Sequence, residues 1–74
     1  MTTKNQPGRF DALPKIGPDE PFFVLRAQDN LAADLVELWA LRAQASGNCP
    51  HDKILEAKNV VQEMREWHTR KHPD

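Results

Sequence analysis

The sequence predicts a mainly α-helical fold, an antiparallel αα-hairpin preceded by an extended N-terminal arm and a short β-strand. Three observations support this. Four of the six prolines lie within residues 1–21, where fixed φ angles and missing N–H donors oppose regular structure. Two segments with helix-like apolar spacing follow, about 30–46 and about 50–70. Only a few residues around Gly47 and Pro50 connect them, and so short a connection makes two helices antiparallel neighbours.

The chain therefore divides into an extended Pro-rich arm, 1–21, and a small helical domain, 22–74. Residues 22–26 (Phe-Phe-Val-Leu-Arg) follow a proline and favour a short edge strand. One strand needs a partner for its backbone groups. The strand can pair with the N-terminal arm, pair with another protomer, or lie unpaired as an extended segment. Only pairing with another protomer gives it a complete ladder of hydrogen bonds, which is a first indication of self-association.

The first helix carries more apolar surface than one neighbour covers. Asp29 or Asn30 can cap its start, and Gly47 with Asn48 marks its end. On a helical wheel, apolar residues occupy close to half of the circumference: Leu31, Ala32, Leu35, Val36, Leu38, Trp39, Ala43 and Ala45. A helix of this kind is expected to bury two sides.

The second helix has a narrower apolar arc. Pro50 suits its first turn, and Arg70 and Lys71 suit its end. The arc consists of Ile54, Ala57, Val60, Val61, Met64 and Trp67. Four of these follow the 3-4-3 spacing of antiparallel helix pairs.

Composition argues against several functions. Ten Lys and Arg residues balance eleven Asp and Glu residues, with a net charge of −1, so the basic stripe of a nucleic-acid binder is absent. No apolar run is long enough for a membrane span or a secretory signal. A single cysteine then favours a cytoplasmic protein without disulfides.

Candidate chemical sites are weak. Cys49 and His51 lie at one end of the second helix, far from His68 and His72, so we expect neither a metal site nor a cofactor. Cys49 lacks the orienting groups of a catalytic nucleophile, and a two-helix hairpin provides few walls for a pocket. We expect a protein that is not an enzyme.

Arg42 and Trp39 have two interpretations each. Arg42 lies inside the apolar arc of the first helix. There it either reaches outward to water and the helix end or forms an interface salt bridge or anion contact. Trp39 either anchors the core or is an interface hot spot.

The segment Pro21-Phe22-Phe23-Val24-Leu25-Arg26-Ala27-Gln28-Asp29, followed by Val36 and Trp39, resembles short proteins of tailed phages and prophages. The resemblance covers roughly residues 18–68 and implies a small accessory protein without a defined activity. It draws attention to Arg26, Gln28 and Asp29. Asp29 also has a structural explanation as a helix cap and Arg26 as an ion-pair partner, whereas Gln28 has none.

The sequence thus predicts a small, non-enzymatic helical interaction protein that forms homo-oligomers and binds a protein partner. One alternative is a protein that sequesters a small anionic ligand, such as a signalling nucleotide, between protomers through Arg26, Gln28 and Arg42. Another is a DNA-binding regulator, although the balanced charge makes nucleic acid a poor partner.

Overall fold

Two packed α-helices dominate the protein in a computed structural model that describes residues 3–67. Helix α1 spans Ala32–Ser46 and helix α2 spans His51–Glu66. The preceding residues contain one turn of 3₁₀-helix, Leu13–Lys15, an isolated β-bridge residue, Asp29, and otherwise turns and irregular backbone. The prediction of a mainly helical chain with two packed helices is confirmed.

Side-chain contacts show that the helices are antiparallel. Arg65, at the end of α2, binds Asp34 at the start of α1, while Lys58, in the middle of α2, donates to Gln44 near the end of α1. Neither α1 nor α2 reaches the length and apolarity that crossing a bilayer requires.

Local signals determine the connection between the helices. Gly47 has φ 72° in the left-handed region, and its N–H donates to the Gln44 carbonyl, an arrangement that glycine adopts without a Cβ penalty. Pro50 precedes α2, and its carbonyl accepts the N–H groups of Lys53 and Ile54. The stop at Gly47 and the start near Pro50 agree with the prediction.

The outer helix ends differ from the prediction. Helix α1 begins at Ala32 rather than near residue 30, and α2 ends at Glu66 rather than near residue 70. Trp67 is already extended. Because Arg65 lies opposite the first turn of α1, further turns of α2 would have no helix to pack on, and unpacked helix ends are marginal. Arg70 and Lys71 lie outside the described residues.

The strand predicted over 22–26 is not present in the described part of the chain, where this segment has no regular structure. A strand is stable only when its N–H and C=O groups pair with a neighbour. Phe22, Phe23 and Val24 are exposed, with Phe23 at 84%.

Small side chains form the contact between the helices. The buried apolar residues are Ala32, Ala33, Ala40, Ile54 and Val61. Alanine side chains on one helix allow a neighbouring helix to pack closely against it. The predicted apolar face was therefore only partly right. Leu31, Leu35 and Leu38 project away from α2, and these leucines and Trp39 all remain about half exposed.

Candidate functional site

The turn before α1 is built around Asp29. Its carboxylate oxygen Oδ1 accepts the N–H of Leu31 at 2.8 Å, and its carbonyl accepts the N–H of Ala32 at 3.1 Å. The Asp29 N–H donates to the Arg26 carbonyl at 2.9 Å. This is the pattern of a side chain that stabilises a turn. Leu31, not Asp29 or Asn30, holds the N-cap position, and no side-chain bond caps the helix.

Arg26 and Gln28 flank that turn without binding each other. Arg26 is exposed and Gln28 is half-buried. Within residues 3–67 Arg26 forms no ion pair, and the side chain of Gln28 makes no hydrogen bond. The Arg26 side chain is therefore open to solvent, whereas the Gln28 side chain is partly covered.

Arg42 lies more than two helical turns further along α1. It is exposed and forms no ion pair within the described part of the chain. The ten residues from Ala32 to Arg42 correspond to about 15 Å of helix. A single chain therefore does not bring Arg42 together with Arg26 and Gln28.

Three leucines and Trp39 form an apolar surface that begins at the N-cap of α1 and continues along the helix. We call it the outer stripe: Leu31, Leu35, Leu38 and Trp39. Their exposed fractions are 51%, 47%, 46% and 43%. At 100° per residue they fall within one arc of about 100°. Arg42 projects from the middle of the same arc at its C-terminal end. The predicted grouping of Arg42 with these leucines therefore lies on the outward face of α1.

Trp39 lies at the edge of the outer stripe nearest α2. The Nζ atom of Lys53 is 5.9 Å from the centre of its ring, within the range of a cation–π contact. One side of the indole therefore contacts α2 while 43% of the residue remains exposed. This geometry combines a packing contact with an accessible apolar surface.

An ion-pair cluster lies along a different side of α1. Arg65 donates from Nη1 to Glu37 at 2.9 Å and from Nη2 to Asp34 at 3.1 Å. The hydrogen bond from Arg65, together with its positive charge, lowers the pKa of Glu37 below its ordinary value of 4.5. The same bonds raise the pKa of Arg65. The cluster connects the two helices and leaves the outer stripe uncovered.

Arg9 connects the N-terminal segment to α2. Its backbone N–H donates to Glu56 Oε1 at 3.0 Å, and its Nη1 contacts Asp52 Oδ2 at 2.9 Å. An open groove of about 490 Å³ lies beside it, lined in part by Phe10, Leu55 and Glu63. Sequence reasoning missed Arg9. The signal was the acidic pair Asp52 and Glu56, four residues apart on one face of α2.

No group of three or more His, Cys, Asp or Glu side chains within residues 3–67 lies close enough to hold a metal ion. Cys49 is a free, half-buried cysteine in the loop between the helices, and His51 is the first residue of α2. His68 and His72 lie outside the described residues.

Comparisons of the chain with protein-family models, with curated proteins and with solved structures find no match.

Proposed function

We propose that this protein is a small non-enzymatic interaction protein that self-associates and acts by binding a protein partner, as phage-type accessory factors do. The observation that supports the proposal is the outer stripe of α1. Large apolar side chains on a short helix are normally buried, and a contiguous exposed group of them is typical of a binding surface. Here four of them lie on one face, each about half exposed.

Burial of the outer stripe is expected to stabilise a complex only moderately. Burying the exposed half of a leucine stabilises a complex by about 1 kcal/mol, and association itself costs several kcal/mol. A contact through one helix face is therefore expected to be reversible, with a dissociation constant of about 1–100 µM. Tryptophan is strongly enriched among interface hot spots. Truncation of Trp39 should therefore weaken binding more than truncation of any one of the three leucines.

The polar contacts leave this surface accessible. Arg65 and Lys58 connect α2 to the other side of α1, and Arg9 binds the far face of α2. None of these contacts covers Leu31, Leu35 or Leu38. The phage setting rests on the resemblance of residues 18–68 and not on the geometry.

Sedimentation velocity over about 10–500 µM tests the proposal. The wild-type protein is expected to shift from monomer to dimer, and Leu35→Glu should weaken the dimer by at least about tenfold, because an interfacial carboxylate must be desolvated. Leu55→Glu is the matched control, since Leu55 is a leucine of similar exposure, 45%, but lies on α2 and outside the outer stripe.

Circular dichroism of both variants checks that the helices are retained. A wild-type protein that stays monomeric at about 500 µM would contradict self-association. Equal weakening by Leu35→Glu and Leu55→Glu would contradict the assignment of the interface to the outer stripe.

A second proposal, capture of a small anionic ligand between protomers, draws support from Arg26 and Arg42. Both cations are exposed and lack an ion pair within residues 3–67, and arginine binds phosphate groups through two parallel hydrogen bonds. Calorimetry against a panel of cyclic and linear nucleotides tests it. Heat that disappears in Arg42→Ala is expected, and no heat with any nucleotide would exclude this class of ligand.

A further inference from the structure

The spacing along α1 suits one kind of partner. Leu31, Leu35, Leu38 and Arg42 are separated by four, three and four residues, which is the repeat that places side chains along the seam between two paired helices. Trp39 and Leu41 flank this row on its two sides. The three leucines are about half exposed, so the seam has no partner helix within the described part of the chain.

Charge is distributed unevenly along the same helix. Asp34 lies in the first turns of α1, beside the seam, and its side chain is 80% exposed. Only its Oδ1 atom is used by Arg65. Arg42 lies on the seam near the other end of the helix and has no ion pair among residues 3–67.

We infer that the outer stripe pairs with the outer stripe of a second copy of this chain, with the two α1 helices antiparallel about a two-fold axis near residues 36 and 37. This inference rests on the self-association proposed above and specifies its geometry. Leu35 of one copy then lies level with Leu38 of the other, and Leu31 lies level with Arg42.

Charge complementarity selects this orientation. A side chain on a helix points toward the N-terminus of that helix. In the antiparallel pair, Arg42 lies level with Leu31 of the second copy. Its side chain therefore points toward Asp34 of that copy, which lies three residues, or about 4.5 Å, further along the axis. A parallel pair would instead place two Arg42 side chains in one layer and leave each Asp34 about 12 Å away.

The interface is small. Helix α1 is about 22 Å long, and one face of it falls short of the about 800 Å² per partner that a standard stable interface removes from water. The dimer is therefore expected to be reversible. Its geometry is best tested by a covalent cross-link formed at protein concentrations above the dissociation constant of the dimer.

Two single-cysteine proteins provide that cross-link. In a Cys49→Ser background, Leu31→Cys and Arg42→Cys are made separately, and one carries a tag so that the products separate by mass. The chains are mixed, allowed to associate and oxidised. A disulfide needs Cα atoms about 4.4–6.8 Å apart, and in the antiparallel pair two Leu31 positions lie about 16 Å apart along the axis. The mixed product is expected to exceed the Leu31→Cys homodimer by at least about fivefold.

The outcomes separate this inference from the proposed function. A wild-type protein that remains monomeric in sedimentation overturns both. A wild-type dimer with a dominant Leu31→Cys homodimer, or with no cross-link in the mixture, overturns the antiparallel arrangement and leaves self-association intact. As a second measurement with native leucines, Arg42→Glu should weaken the wild-type dimer about tenfold while Arg42→Lys stays within about threefold; equal affinity of Arg42→Glu and wild type would also overturn it.

Discussion

Arg65 Nη1 donates to Glu37 Oε2 at 2.9 Å and so joins the end of α2 to the first half of α1. The Arg65 Nη2 atom also binds Asp34. One guanidinium therefore holds two carboxylates that lie three residues apart on the opposite helix. This arrangement fixes the open end of the hairpin, whereas the loop at Gly47 fixes the closed end.

Acid should weaken the hairpin through Glu37. Because the pKa of Glu37 is lowered in the folded protein, its stabilising contribution is present above the unfolded pKa and is lost as the pH falls through the folded pKa. The thermal unfolding midpoint of the wild-type protein should fall as the pH is lowered from about 5 to about 3. The midpoint of Glu37→Gln should fall less over the same range, because this variant lacks the titrating carboxylate. Asp19→Asn is the control: it removes a carboxylate that forms no ion pair among residues 3–67, and its midpoint should fall as much as that of wild type. A fall in Glu37→Gln equal to that of wild type would contradict the prediction.

Ile54 is expected to be a main source of stability. It is 5% exposed at the contact between the helices, and Ile54→Ala should lower the free energy of unfolding by about 2–3 kcal/mol, the lower part of the range for buried isoleucine. The adjacent Leu55 is 45% exposed, so Leu55→Ala should cost less than about 1 kcal/mol. Urea unfolding followed by circular dichroism measures both, and similar losses would show that Ile54 is not the buried member of the pair.

Gly47 should tolerate substitution poorly even though space is available. A Cβ at this position meets nothing within 4 Å, but φ is +72°, so Gly47→Ala should cost about 1 kcal/mol through backbone strain alone. Gly47→Asn should cost less, because asparagine adopts this conformation more readily. At Gly17 a Cβ would meet Glu20 at an ordinary 3.7 Å, and Gly17→Ala should be close to neutral. Equal losses at the two glycines would contradict the argument from φ.

The amide of Arg9 should report whether the N-terminal segment lies against α2. Its N–H donates to Glu56 Oε1, so Glu56→Ala should speed the hydrogen exchange of this amide about fivefold, the value of one net hydrogen bond. Glu56→Gln keeps an acceptor oxygen and should retain most of the protection. NMR-detected exchange measures both variants. Equal exchange in wild type and Glu56→Ala would mean that this bond does not hold the segment.

Local chemistry made the helices and their connection predictable. Gly47 ends α1 because the residue there adopts the left-handed backbone conformation, which glycine accepts without strain. Pro50 lies before α2 rather than inside it, because proline lacks the N–H that a position in the helix interior would donate. These are properties of one or two residues and their neighbours. The antiparallel pairing then follows from the short connection, and contacts such as Lys58 with Gln44 agree with it.

Which side of α1 faces α2 was decided only by the tertiary structure. Alanine and leucine are both apolar, so the helical wheel groups Ala32 with Leu35 and cannot rank them. Close approach of two backbones favours the small side chains, and Ala32, Ala33 and Ala40 are buried while Leu31, Leu35 and Leu38 face outward. The sequence by itself therefore determined that α1 has too much apolar surface for one neighbour. Tertiary packing decided which part of this apolar surface α2 leaves uncovered, namely the row of large leucines beside Arg42. The physical reason is that side-chain volume, more than hydrophobicity, selects the residues at a close helix contact.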